Sequence, residues 1–265
     1  MFLKKYLLIS SVLLAIGACS KQEETQNTTP VPNTAATTPS MTYRVGTDFT
    51  YAPYNQRTQN GGITGLDIDI MNAIAKNQNF QVEYVALEWD SLMKSAKTQN
   101  LSVVMDGIAA DDLTDYPDYV LSQSYMRSGD CIYVAKPENS SNWHKQTVAT
   151  HLDDFLDEEL IKVHGVGKSK IEHIRTLLQG FQYLAADKVQ AVVSDCGALR
   201  HVAKNPLFKD YTFYESKLPN SELPETADLG FGVLKSDTEL LNKINTGLQN
   251  IKQSGELDAI IKKWN

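Results

Sequence analysis

Thr42-Tyr43-Arg44-Val45-Gly46-Thr47, then Gly65-Leu66-Asp67-Ile68-Asp69-Ile70-Met71-Asn72-Ala73-Ile74-Ala75, then Phe80-Gln81-Val82-Glu83-Tyr84-Val85-Ala86-Leu87 form the stretch on which the fold turns. The first run reads as a strand ending in a turn. The second places apolar residues at 66, 70, 71 and 74, one face of a helix. The third alternates as a strand does, with Val82, Tyr84 and Ala86 on one face. Strand, helix and strand in that order predict an α/β fold with a largely parallel sheet.

The pattern continues outward. Residues 89–97 read as a helix and 101–105 as a buried strand. A strand is expected at 130–135, a helix at 154–161, a short apolar run at 161–166 and a helix at 170–178. Residues 189–194 read as a strand closing on Asp195, 198–203 as a helix and 229–234 as a strand. Residues 239–253 are amphipathic, with Leu240, Ile244, Leu248 and Ile251 on one face; Gly255 ends that helix and a last short one closes at Trp264.

The chain has 265 residues, and 42% hydrophobic content suffices for a core, which excludes global disorder. A net charge of −7 argues against a nucleic-acid binder. Three cysteines exclude a small disulfide-stapled fold. Five histidines show no metal-ligand spacing, and no cofactor is expected.

Lys4-Lys5, an apolar run from Tyr6 to Ile16 and the small residues Gly17-Ala18 have the form of an export signal over residues 1–18. The run is shorter than the roughly 20 residues of a membrane span. Ile16-Gly17-Ala18-Cys19 resembles the bacterial lipobox, which implies a lipid on Cys19; an ordinary cleavage nearby is the alternative. Removing residues 1–18 leaves 23 basic against 32 acidic residues, a net of −9. Residues 20–40 carry no aromatic side chain and read as a flexible tether spanning about 25 Å.

Five segments in order resemble the bacterial extracellular solute-binding proteins of family 3, the polar-amino-acid periplasmic proteins that serve ABC importers, here in a lipoprotein form. They are Arg44-Val45-Gly46-Thr47-Asp48-Phe49-Thr50-Tyr51-Ala52-Pro53-Tyr54, Gly65 to Ile70, Trp89-Asp90-Ser91-Leu92, Val189 to Asp195, and Gly230 to Asp237 with its continuation to Trp264. The resemblance implies a type II periplasmic-binding fold: two α/β lobes on a two-strand hinge, closing on a ligand between them. Lobe 1 would be residues 41–127 and 231–265, and lobe 2 residues 128–230. The implied partners are a small amine or amino acid, an inner-membrane permease and, through the anchor, the periplasmic side of an envelope membrane. No nucleic acid and no catalysis are expected, and the protein is expected to be a monomer.

By the same resemblance Asp48, Tyr51 and Trp89 belong to the lobe 1 ligand wall, and Asp195 accepts the ligand's ammonium group. Asp195 is also a good helix N-cap, and both roles are compatible. The family's carboxylate-clamping arginine falls on Asp115, or on Thr114 with one insertion, and neither is Arg. Three explanations stay open: a cationic ligand without a carboxylate there, a carboxylate bound elsewhere, or a changed role. Lys168 and Ser169, in Val163-His164-Gly165-Val166-Gly167-Lys168-Ser169 before an expected helix, are the candidate anion site, against a plain surface turn. Residues 160–178 also resemble a helix-hairpin-helix nucleic-acid element. Cys131 and Cys196 would both lie in lobe 2, as a disulfide or as two buried thiols. Competing readings are a dehydratase-like periplasmic enzyme or a sensor on the same scaffold.

Overall fold

The computed structural model describes residues 41–96, 98–152, 154–219 and 227–264, so the expected export signal, Cys19 and the expected tether lie outside the described residues. In chain order the elements are β1 (Thr42–Thr47), β2 (Gln56–Arg57), β3 (Ile63–Thr64), α1 (Leu66–Gln78), β4 (Gln81–Ala86), α2 (Trp89–Ser95), β5 (Val103–Ile108) and β6 (Tyr119–Leu121). Then come β7 (Met126–Ser128), β8 (Asp130–Val134), β9 (Val148–His151), α3 (Asp154–Lys162), β10 (Ile171–Ile174), α4 (Leu177–Ala185), β11 (Ala191–Asp195) and α5 (Cys196–Ala203). The chain ends with β12 (Tyr214–Lys217), β13 (Ala227–Leu234), α6 (Thr238–Gln253) and α7 (Glu256–Trp264).

The opening strand, helix and strand form as their pattern requires. β1 runs parallel to β4 from Thr42 opposite Gln81 to Thr47 opposite Ala86, and parallel to β5 on its other side. α1 buries Leu66, Ile68, Ile70, Met71 and Ile74 to 3% exposure or less, each side chain contributing about 1.5–3 kcal/mol. On β4, Val82 and Tyr84 are half-buried, but Ala86 is exposed. Ala86 is the last residue of the strand: it pairs with Thr47, Leu87 N–H bonds Thr47 O, and the chain then leaves the ladder for α2. The first sheet has the order β4-β1-β5-β13-β6, with β13 antiparallel to its neighbours. On α6 the expected stripe Leu240, Ile244, Leu248 and Ile251 is buried.

Gly65 matters for everything that follows. Its φ of 151° and its contact with the preceding loop leave no room for a side chain; a Cβ there would lie 2.1 Å from Tyr54 O. The start of α1 therefore docks directly on that loop, with Leu66 N–H on Pro53 O at 2.8 Å and Asp67 N–H on Tyr54 O at 3.0 Å. The loop from Tyr51 to Asn55 is thereby fixed at the carboxyl end of β1.

The second sheet has the order β10-β9-β11-β8-β12. β9, β10 and β11 are parallel, and β8 is antiparallel to β11 and β12. Two antiparallel strands cross between the halves: β7 pairs with the start of β13, Ala227 opposite Ser128 and Leu229 opposite Met126.

Two expectations fail in this half. Residues 170–178 are not one helix: Ile171-Glu172-His173-Ile174 pairs along β9 as a strand, and α4 begins at Leu177 behind the N-cap Thr176, whose hydroxyl accepts from Gln179 N–H at 3.2 Å. Tertiary pairing overrides a weak helical pattern. The second helix of a helix-hairpin-helix is therefore missing, and that resemblance falls. The apolar run 161–166 is the end of α3 and a loop, from which Val166 reaches the core.

Candidate functional site

The carboxyl ends of β1 and β5 in the first half meet those of β9 and β11 in the second. The Tyr51–Asn55 loop makes the contact. Tyr51 Oη lies 3.4 Å from Ser194 Oγ, and Tyr54 O–H donates to Asp195 Oδ1 at 2.9 Å. The two tyrosine rings stack, with centroids 5.4 Å apart at 22°, and the His151 ring lies 5.7 Å from Tyr51. A loop set by α1 thus reaches across to the strand ends of the other sheet.

Asp195 stands at the centre. It caps α5, accepting from Ala198 N–H at 2.8 Å, and Ser128 O–H on the crossover strand donates to its Oδ2. Burial pushes its carboxyl up, and hydrogen bonds from Ser128, the Ala198 amide, Tyr54 and the Gly197 amide oppose that rise. Both expected roles are thus open to it: the cap is made, and the side chain sits where the halves touch. Beside it Cys131 and Cys196 form a disulfide with Cα atoms 4.8 Å apart. That bond joins β8 to the first residue of α5, one position past Asp195, and Asp130 lies opposite Asp195 in the ladder.

Two further carboxylates are buried behind the Tyr51 loop. Asp106, 5% exposed, accepts from Asn55 Nδ2–H, itself fully buried. Burial and then the charge of Asp48 push Asp106 well above the usual carboxylate range, against the Asn55 hydrogen bond. Asp67 accepts Tyr125 O–H at 2.6 Å and Gly107 N–H at 2.9 Å; burial lifts it to about 7. The Tyr51 hydroxyl is raised by burial first and then by Asp195, with Asp130 and Asp106 adding smaller effects. The junction is electronegative from both sides.

The candidate residues do not all gather here. Tyr51 and Asp195 do. Asp48 closes the loop after β1, accepting from Thr50 O–H and, at 3.2 Å, from Trp89 N–H. Trp89 therefore joins Asp48 through its backbone, while its side chain packs on the apolar cluster of Leu92, Leu101 and Ile108. Asp115 is exposed beyond the short turn that follows β5. Lys168 and Ser169 are exposed in a turn before β10, at the end of the second sheet opposite His151 and Asp195. Only a three-residue 3-10 turn, Lys168–Lys170, begins there before β10, so the longer helix expected after it is absent. The strand-to-helix junction facing the first half is the one after β9, where the sequence reads His151-Leu152-Asp153-Asp154.

Residues at the junction that the sequence did not single out are Tyr54, Asn55, Ser128, His151 and Ser194; Asp106 stood out only as one of the acids, with Asp111, Asp112, Asp115 and Asp118, that make this side acidic. Tyr54 had a signal, three positions after Tyr51 in one motif. His151 was missed with its strand, whose four residues Val148-Ala149-Thr150-His151 carry a weak pattern. Nothing local marks Ser128, whose role comes from the crossover that carries it.

Comparison with known proteins places this architecture. The family model for bacterial extracellular solute-binding proteins, family 3, matches residues 43–265. A protein of Neisseria gonorrhoeae described as a probable histidine-binding protein is 28% identical over 259 residues, 95% of this chain and 91% of that one. A probable amino-acid ABC transporter-binding protein of Haemophilus influenzae is 23% identical, over 85% of each. Among solved structures, the ancestral amino-acid-binding protein AncCDT-1, a precursor of cyclohexadienyl dehydratase, superposes with a TM-score of 0.68 at 29% identity, covering 84% of this chain and 94% of that one. The chain belongs to the bacterial extracellular solute-binding proteins, family 3, with the fold of the type II periplasmic binding proteins.

Proposed function

We propose that this solute-binding protein captures a small amine or amino acid between its two lobes, residues 41–127 with 231–265 and residues 128–230, and delivers it to an inner-membrane ABC importer. The observation that carries this reading is the Tyr54–Asp195 hydrogen bond, which joins the strand ends of the two sheets at a carboxylate suited to an ammonium group. Tyr51 and His151 supply ring surface beside it. The relatives that bind amino acids support the ligand class. Lipidation of Cys19, after removal of residues 1–18, would hold the monomer at the periplasmic face of the membrane. The protein acts as a binder and transforms nothing; the likeness to a dehydratase precursor makes that worth testing.

Native mass spectrometry of freshly purified protein is the test. A retained small molecule of unaltered mass, displaceable by excess amine or amino acid, is the expected result. Release of a chemically changed product would favour an enzyme. The mass of the mature N-terminus checks Cys19: an acylated Cys19 is expected, and a free N-terminus at another position would contradict the anchor.

A further inference from the structure

The charges at the lobe junction are one-sided. Asp195 ends β11 at the junction, Asp106 is buried on β5 behind the Tyr51 loop, and Asp48 closes the loop after β1, its charge reaching Asp106. Each is held by neutral donors only: Thr50 O–H and Trp89 N–H on Asp48, Asn55 on Asp106, and Tyr54, Ser128 and Ala198 N–H on Asp195. Among the described residues no Lys or Arg pairs with any of the three. The nearest cations of the second half are peripheral or committed. Arg175 follows β10 and Lys217 ends β12, the two outer strands, each roughly 10 Å from the β11 strand at about 4.8 Å per strand. Arg200 is bound twice by Glu215 at 3.0 Å, and Arg127 pairs with Asp228 at 3.4 Å.

From this, and resting on the solute-binding reading above, we infer that the junction selects a cationic amine that lacks a free carboxylate. Carboxylates with no directly paired Lys or Arg, the one nearby guanidinium of Arg200 being held by Glu215, attract an ammonium or guanidinium group and repel a second carboxylate. A guanidinium or ammonium ligand becomes the missing counter-charge. An amino acid would bring its own carboxylate into the same field with no fork of donors to receive it.

Burial holds Asp106 and Asp195 above the usual carboxylate range. The groups facing Asp106 are Asp48, Asn55, Asp67 and Asp112; those facing Asp195 are Tyr51, Tyr54, Tyr125, Ser128 and Arg200. An arriving cation favours the ionised form of both acids. Binding therefore releases protons, and affinity rises with pH.

The test uses matched pairs differing only in the carboxylate: agmatine and arginine, cadaverine and lysine, putrescine and ornithine, histamine and histidine. Each is titrated calorimetrically into the folded, disulfide-bonded protein. At least one amine binds a hundredfold or more tighter than its parent, with affinity increasing with pH and a buffer-dependent heat that reports proton release. Equal or tighter binding by the amino acid, lost in Asp195→Ala, would overturn the ligand class while leaving solute binding intact. Silence from all eight compounds would also overturn the ligand class, and the native mass measurement then decides the solute reading separately. As a control, Arg175→Ala leaves amine affinity within twofold; loss of amino-acid binding in that variant would mean that a carboxylate is received at the sheet edge.

Discussion

Asp67 accepts a tyrosine hydroxyl at 2.6 Å and a backbone N–H at 2.9 Å; Asp195 accepts a tyrosine hydroxyl at 2.9 Å and a backbone N–H at 2.8 Å. The chemistry is the same, and the placement is not. Gly107 on β5, Tyr125 between β6 and β7, and Asp67 on α1 all belong to the first half, and Asp67 is 0% exposed. Asp195 takes Tyr54 from the first half, Ser128 from a crossover strand and Ala198 from its own helix. It is also partly exposed. One acid fastens a lobe to itself; the other couples two lobes and keeps an exposed edge. On the proposed function, the first acid serves stability and the second serves binding, according to whose donors fill each.

The largest expected effect concerns what braces the Asp195 corner and has no counterpart at Asp67. Replacing Cys131 and Cys196 with Ala removes a cross-link across 65 residues, worth about 4 kcal/mol by loop closure and about 10 °C of melting temperature. A drop under 2 °C would mean the corner does not depend on it. Next, Asp195→Ala weakens amine binding at least a hundredfold in calorimetry, while the lost helix cap costs only about 1 kcal/mol of stability. A variant that binds normally would remove Asp195 from the site. Tyr54→Phe keeps the ring stack and deletes one hydrogen bond between the lobes, so affinity falls about tenfold.

Asp67→Asn probes the other side of the contrast. The wild-type carboxyl titrates near 7 in the folded protein, above its ordinary value of about 4. The native state then holds more protons than the unfolded state between those values, and stability falls as pH rises through that window. Denaturant titrations at pH 4.5, 6 and 8 should show a shallower decline in the variant, whatever its baseline. Ligand affinity should move by less than twofold, and a larger change would erase the distinction between the two acids.

The first lobe was far more legible in the sequence than the second. Its β1, α1 and β4 carry strong alternation or a clear helical stripe, and Asp48 to Tyr54 form one contiguous motif. In the second lobe, β9 and β10 are four residues each and owe their state to pairing with one another. Reading β10 as a helix put Lys168 and Ser169 before a helix N-terminus, where the chain instead enters a strand at the end of the sheet opposite His151 and Asp195. The site itself was half visible. Tyr51 and Asp195 stand out locally, whereas Ser128, Asn55 and Asp106 join it only through contacts between segments far apart in the chain.

The most direct measurement titrates the tightest-binding of agmatine, cadaverine, putrescine and histamine into wild type, Asp195→Ala and Asp67→Asn, side by side at pH 7.5. The account predicts saturable binding by wild type, the same affinity within twofold for Asp67→Asn, and no measurable binding by Asp195→Ala. Binding by Asp195→Ala as tight as wild type would contradict the claim that this carboxylate, shared between the lobes, holds the solute.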